Sequence, residues 1–355
     1  MKFWKKTFPM LLIPFLLIIF SEESVAQGGI RNNDAYIKAS SGTHIEVNGG
    51  DFANKGSTPK IDLDGVIEIS GDWINSSSSE VFINRDVTGK VVFNGSSQQT
   101  IKGSTTTVFE AIELNNASGL LINANTLVEE DLQITNGRID LTDYVLTIGE
   151  NGAINGSFSE SKMIVINGTG QLRKELSGNT TFTFPLGDNS STIEYSPVTF
   201  SLMNNTGLSS AWIGIAVTDT QHPNDTSISE YISRYWSLEA NGISNPEYDF
   251  SLSYTDGDIV GEETGIYGAS YNNGTSTLFG PIDTSNNQLV FSGISSLSDY
   301  TGIAGLQNIS ASASGTWSDQ IGTTYDYTNV TIPSGVTIEL QSGKTTDQVN
   351  NVTIE

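Results

Sequence analysis

The stretch DLQITNGRIDLTDYVLTIG, residues 131–149, places an apolar pair around a single residue three times: Leu132 and Ile134, Ile139 and Leu141, Leu146 and Ile148. The pairs recur every seven residues, the heptad length of a helical coiled coil, but the spacers argue against helix. Thr135, Asn136, Gly137, Thr142 and Thr147 favour strands and turns. An apolar, polar, apolar triplet is a short strand showing one face inward, and a Gly or Asn after it bends the chain before the next. Three strand-and-turn units make about twenty residues, the size of one coil of a solenoid.

The pattern runs from His44 to about Leu176. Ile112 and Leu132, Leu120 and Ile139, and Leu127 and Leu146 lie 19 or 20 residues apart, which fits three faces per coil and predicts that these residues stack. About six or seven coils follow, each rising about 4.8 Å. The rival is an antiparallel meander, because Asn48-Gly49, Asn94-Gly95, Asn136-Gly137, Asn155-Gly156 and Asn167-Gly168 are also two-residue hairpin turns.

Near Thr180 the segments lengthen and alternate strictly, as in YSPVTFSLMN (195–204), AWIGIAVTDT (211–220), SRYWSLEA (233–240) and YDFSLSYTDGD (248–258). Two-faced strands of this length between Asn, Asp and Gly turns predict a β-sandwich. Trp212 and Trp236 are its expected core aromatics, with a sugar-binding groove as the alternative for either. After Gly305 a Ser- and Ala-rich connection leads to Val336, Ile338, Leu340, Val352 and Ile354, which restore the triplet pattern. The expected fold is therefore all-β: a parallel β-solenoid, a β-sandwich, and the start of a second solenoid that belongs to a longer protein. The expected divisions are a signal peptide at 1–26, solenoid at 27–176, sandwich at 177–305, and a linker with an incomplete second solenoid at 306–355.

Lys2, Lys5 and Lys6, an apolar run from Phe8 to Phe20, and Ser24-Val25-Ala26 read as an export signal cleaved after Ala26. No second run is long enough to cross a bilayer, so no membrane insertion is expected after cleavage. The chain has no cysteine, which removes a lipoprotein anchor, disulfides and thiolate chemistry. Its formal net charge of −24 repels nucleic acid and anionic lipid.

Chemistry is sparse. His44 and His222 fall in different predicted domains, so neither a histidine metal site nor a Ser-His-Asp triad has support. Glu129-Glu130-Asp131, with Asp140 and Asp143 one strand later, is the stretch to weigh for a carboxylate pair, and it reads as a solvated corner. SGKTT at 342–346 lacks the first glycine of a phosphate loop, and GGIRNNDAY is a poor single copy of the calcium nonapeptide. In DGDIVGEE (256–263), Asp256, Asp258 and Glu262 are the calcium candidates, against a plain acidic hairpin. No cofactor is expected, with calcium as the alternative to test.

Several stretches resemble the long repetitive exported surface proteins of Bacteroidota: ISGDWIN (69–75), GKVVFNGSSQQTIKGS (89–104), FEAIELNNASGLLI (109–122), LQITNGRIDL (132–141), FPLGDNSSTIEYSPV (184–198) and RYWSLE (234–239). The resemblance implies alternating solenoid and sandwich modules, adhesion at the cell surface or matrix, and in many members type IX secretion through a terminal sorting domain. No such domain is evident here, and the resemblance carries no catalytic residue with it. The resulting expectation is a non-enzymatic exported surface protein, structural or adhesive, meeting glycans or surface proteins. The alternatives are a solenoid polysaccharide lyase or hydrolase and a calcium-dependent carbohydrate-binding module.

Overall fold

The computed structural model describes residues 28–83, 88–225, 230–305, 307–310, 313–316, 327–339 and 349–354. The cleavage site at Ala26, the SGKTT stretch and Leu340 lie outside them. The chain is all-β, and its first half is a parallel β-solenoid. One coil shows the construction. Leu120–Asn123 forms one face, and Thr126–Asn136 bends through an irregularity near Glu129 and Glu130 to supply two more. The next coil repeats this with Ile139–Leu141, Val145–Ile148 and Ala153–Gly156.

Every strand flanking the Asn-Gly turns pairs in parallel with a strand one coil away, as Leu120 with Ile139 and Ile112 with Leu132. Hairpins are thereby excluded at the Asn-Gly turns; the one antiparallel bridge among the described residues of the coils is the tight turn joining Ser159 and Lys162. The third expected stack is out by one: Leu127 pairs with Thr147, and Leu146 with Thr126. Val128 is the buried residue of that face, so Leu127 points outward. Gly137 shows why the corners need glycine. It sits at φ 91°, and a Cβ there would lie 1.9 Å from the Asn116 carbonyl oxygen of the preceding coil.

The triplets fill the interior: Ile67, Ile69, Phe93, Ile112, Leu114, Leu141 and Ile148 are all buried. Each adds about 1.5–3 kcal/mol, which one coil alone cannot balance against chain ordering. The early coils also carry an aromatic stack, Phe52 on Trp73 at 4.9 Å and Trp73 on Phe82 at 5.4 Å between ring centroids. Beside it runs a feature the triplets do not announce. Asn32, Asn54 and Asn75 are in register on successive coils and fully buried.

The parallel region passes into an antiparallel one without a break in pairing. Gln171–Leu176 pairs in parallel with Val145–Ile148 on one side and antiparallel with Gly207–Thr218 on the other. The long 15-stranded sheet thus spans both regions. A separate four-stranded antiparallel sheet, Thr180–Phe184, Val198–Asn204, Glu247–Ser253 and Gln288–Ile294, meets it where Phe250 and Phe291 each lie 4.8 Å from the ring of Tyr300. Trp236 is fully buried, as expected. Trp212 is not a core residue. In AWIGIAVT the inward positions are Ala211, Ile213, Ile215 and Val217, so strict alternation turns Trp212 to the outer face, half-buried, with the Arg173 guanidinium 3.8 Å from its ring centroid.

Parallel pairing resumes at Gln307–Ser310, which aligns with Tyr327–Ile332 and then Val349–Ile354. Val330 is buried there, while Ile354 is exposed.

Candidate functional site

The densest polar constellation lies where the two pairing modes meet. Arg234, just before the Tyr235–Ser244 strand, continues the inward alternation of Trp236 and Leu238 and is fully buried. Asp188 alternates likewise with Phe184 and Leu186 on the FPLGD segment. An isolated buried guanidinium would be costly, and this one is surrounded. Its Nε lies 3.0 Å and 3.1 Å from the two oxygens of Asp258. Its Nη atoms bond Asp188 and Glu194, and Asp219 approaches to 3.6 Å.

Hydroxyls and backbone complete the shell. Ser190 donates its N–H and Oγ–H to Asp188, at 3.1 Å and 2.7 Å, and Ser191 Oγ donates to Asp219 at 3.0 Å. Thr255 donates its N–H to Asp258 at 2.7 Å and its hydroxyl lies 3.1 Å from both Asp258 and Glu194. Burial alone would depress the Arg234 pKa; the bonds to Asp258 and Asp188 more than offset this and hold it above its ordinary value. Burial, together with the Asp258 charge, pushes the Glu194 carboxyl up against the pull of Arg234.

Among the described residues, Asp188, Glu194 and Asp219 form the one group of three whose oxygens converge within 4.8 Å. They converge on Arg234, whose guanidinium already supplies a cation. The calcium candidates from the sequence are divided. Asp258 belongs to this cluster, Asp256 is exposed and accepts from Asn287 Nδ2 at 2.7 Å, and Glu262 is exposed before a short 3-10 turn. Sequence reading missed Arg234 and Asp188, although a charged residue in phase with buried apolar ones, as in RYWSL and FPLGD, is itself the signal.

The remaining polar candidates serve the fold. His222 is buried, its Nδ1 accepts the Asn224 N–H at 3.2 Å, its Nε2 faces Asp299 at 3.2 Å, and its ring stacks on Tyr271 at 4.1 Å. Both ring nitrogens are engaged, so neither is free to act as a base. His44 faces Glu68 at 2.7 Å in the other region. Asp140 and Asp143 take different partners, Gln98 at 3.1 Å and the Thr169 N–H at 3.1 Å; burial raises the first carboxyl and the Thr169 bonds lower the second. Asp131 accepts from Asn155 at 2.7 Å.

Two shallow grooves flank the cluster. One, of roughly 460 Å³, is lined by Asn167, Asn189, Ser190, Thr218 and Asp219; the other, of roughly 530 Å³, by Phe158, Ser159, Glu160, Ser161, Tyr195 and Thr255. Among the described residues no helix is long and apolar enough to cross a membrane. No family model, curated protein or solved structure matches this chain.

Proposed function

We propose that this chain is a non-enzymatic, exported surface protein of structural or adhesive role, in which stacked coils hold polar faces out toward glycans or surface proteins. The observation that carries this reading is where its carboxylates go. Among the described residues the one group of three that converges is bound to Arg234, and on the coils Asp62 meets Lys38, Asp72 meets Lys102 and Glu113 meets Lys90 across neighbouring strands. A glycosidase or lyase needs two acids, or an acid and a base, held open toward substrate. The cluster instead has its acids bonded inward to a guanidinium. The N-terminal export pattern and the resemblance to Bacteroidota surface proteins support an exported location.

The test is one assay on the full chain: retention on immobilised polysaccharides and release of new reducing or unsaturated ends, each with and without calcium. The expected result is retention without product and without calcium dependence. New chain ends would establish the enzyme reading. Retention that required calcium would establish the calcium-dependent module.

A further inference from the structure

The outer face of the long sheet, across Gln171–Leu176, Gly207–Thr218 and Tyr235–Ser244, carries a flat polar plate. Trp212 and Arg173 form its centre, with the guanidinium carbon 3.8 Å from the ring centroid. Gly214 lies between Arg173 and Glu239 in register. A Cβ at Gly214 would come within 2.9 Å of Gln171 Oε1 and 3.1 Å of Trp212 Cζ3, so the glycine leaves room for that edge of the indole beside Arg173. Gln171 Oε1 accepts from Arg173 Nε at 3.0 Å, which fixes the guanidinium, while its Nη atoms bond no described side chain. Glu175 and Asn241 flank Trp212 in register. Burial depresses the Arg173 pKa, with the Glu239 charge opposing, as suits a cation partly stripped of water.

We propose that this plate is a glycan subsite that takes a neutral sugar ring, with the Trp212 face turned away from Arg173 stacking on the ring's C–H face, the Arg173 Nη groups donating to its hydroxyls at the indole's edge, and Glu175, Glu239 and Asn241 accepting from them. The inference rests on the adhesive reading above and names the ligand class. A neutral ring suits the site better than a uronate because two carboxylates flank the single cation on a strongly acidic protein. A sugar suits it better than a protein surface. Protein hot spots sit inside an apolar patch, and none of the exposed large hydrophobics, Tyr36, Ile193, Met203, Val290 and Ile354, belongs to these three strands. The sequence holds the same hint, since a tryptophan out of phase with Ile213, Ile215 and Val217 is an aromatic placed on the solvent side.

The test titrates the full chain calorimetrically with neutral gluco-, manno-, galacto- and xylo-oligosaccharides and with an oligouronate. Trp212→Ala, Trp212→Phe and Arg173→Gln are measured beside it, with melting temperatures for all. The expected result is binding of at least one neutral oligosaccharide, weakened about ten-fold or more by Trp212→Ala, less by Trp212→Phe and Arg173→Gln, with melting temperatures nearly unchanged. Wild-type binding that survives all three changes overturns the subsite and leaves the adhesive reading standing. Oligouronate binding lost in Arg173→Gln overturns the neutral-ring assignment. A wild type that binds no glycan but captures a protein through Trp212 overturns the ligand class, and one that binds nothing overturns subsite and glycan reading together. If Trp212→Ala fails to fold, the ring-retaining Trp212→Phe and the Arg173→Gln variant decide the matter.

Discussion

The coiled region and the antiparallel region bury similar apolar side chains but treat charge in different ways. On the coils a carboxylate pairs with a lysine on an adjacent strand that keeps contact with water, as Asp72 does with Lys102 at 2.5 Å and the buried Asp62 with Lys38 at 2.6 Å, and the buried Lys174 ammonium is held by the backbone carbonyls of Glu150 and Gly152 at 2.9 Å and 3.0 Å. In the antiparallel region one arginine is fully buried and gathers carboxylates from four places in the chain, Asp188, Glu194, Asp219 and Asp258. The difference follows from how each region is specified. A coil finds its neighbour by local repetition, so its ions do not have to choose the pairing. The antiparallel strands pair over long sequence distances, and a buried charge that is satisfied in only one arrangement favours that arrangement over others.

The largest expected effect tests that contrast directly. Arg234→Met leaves Asp188 and Asp258 buried without their cation and should cost about 3–5 kcal/mol. Hydrogen exchange should show the loss concentrated in residues 180–305, with the coils from His44 to Leu176 still protected. The deficit should shrink as pH falls, because the orphaned carboxylates then take up protons. A variant as stable as the wild type at neutral pH would break the comparison.

Next come the two tryptophans. Trp236→Ala empties a fully buried site and should cost about 3–5 kcal/mol. Trp212→Ala removes an outer-face stack on Arg173 and should stay within about 1 kcal/mol. Chemical denaturation of both variants checks the ratio. Equal costs would mean that the outer face of the shared sheet is as closely packed as its inner one.

How far the sequence spoke differs between the regions for the same reason. The triplets LQI, IDL and LTI gave the strand faces and the coil length, because in a solenoid sequence spacing is spatial spacing. Leu127 was misaligned by one residue because the corner after the first face is one residue longer in the next coil, where Ile122 pairs with Leu141 but Thr126 with Leu146, which no periodic count detects. The inward asparagines were also missed. Asn32, Asn54 and Asn75 each follow an apolar residue by two positions, but a polar residue there reads as outward until the register is known. In the antiparallel region the alternation was legible strand by strand, and it correctly buried Trp236. It also buried Arg234, a consequence that goes unread when charge is assumed to face water. Trp212 was placed in the core by residue type although its own strand put it outside. The meeting of Asp188, Glu194, Asp219, Asp258 and Arg234 is a product of long-range pairing, which spacing does not encode.

The asparagine column offers a smaller test within the coils. Asn75 Nδ2 donates to Thr107 Oγ1 at 3.1 Å, and its Oδ1 accepts the Ser77 N–H at 3.2 Å. Asn54, equally buried, has neither amide atom bonded. Asn75→Ala should therefore cost about 1–3 kcal/mol, and Asn54→Leu should be close to neutral or stabilising. Thermal unfolding distinguishes them. If Asn54→Leu costs as much as Asn75→Ala, the amides of Asn32, Asn54 and Asn75 act as one cooperative ladder, and the coils too rely on buried polarity.

The smallest expected effect lies on the coil surface. Lys90 Nζ meets Glu113 Oε2 at 2.5 Å across neighbouring strands, and Thr135 donates to the other oxygen at 3.1 Å from the following coil. The Lys90 bond lowers the Glu113 pKa, against the opposing pull of burial. A carboxyl that is more acidic folded than unfolded binds fewer protons in the folded state, so its stabilising contribution is complete above the ordinary carboxylate range and is lost as pH falls through the lowered value. Both side chains are partly solvated, so Lys90→Met should cost no more than about 1 kcal/mol at neutral pH and low salt. The cost should fall in molar salt, where screening acts within a few ångströms, and vanish in acid once Glu113 is protonated. Melting curves of the two proteins across pH and salt measure this. A Lys90→Met cost that rivalled Arg234→Met and resisted salt would show that the coils are held by their ions as firmly as the antiparallel region is by its buried arginine.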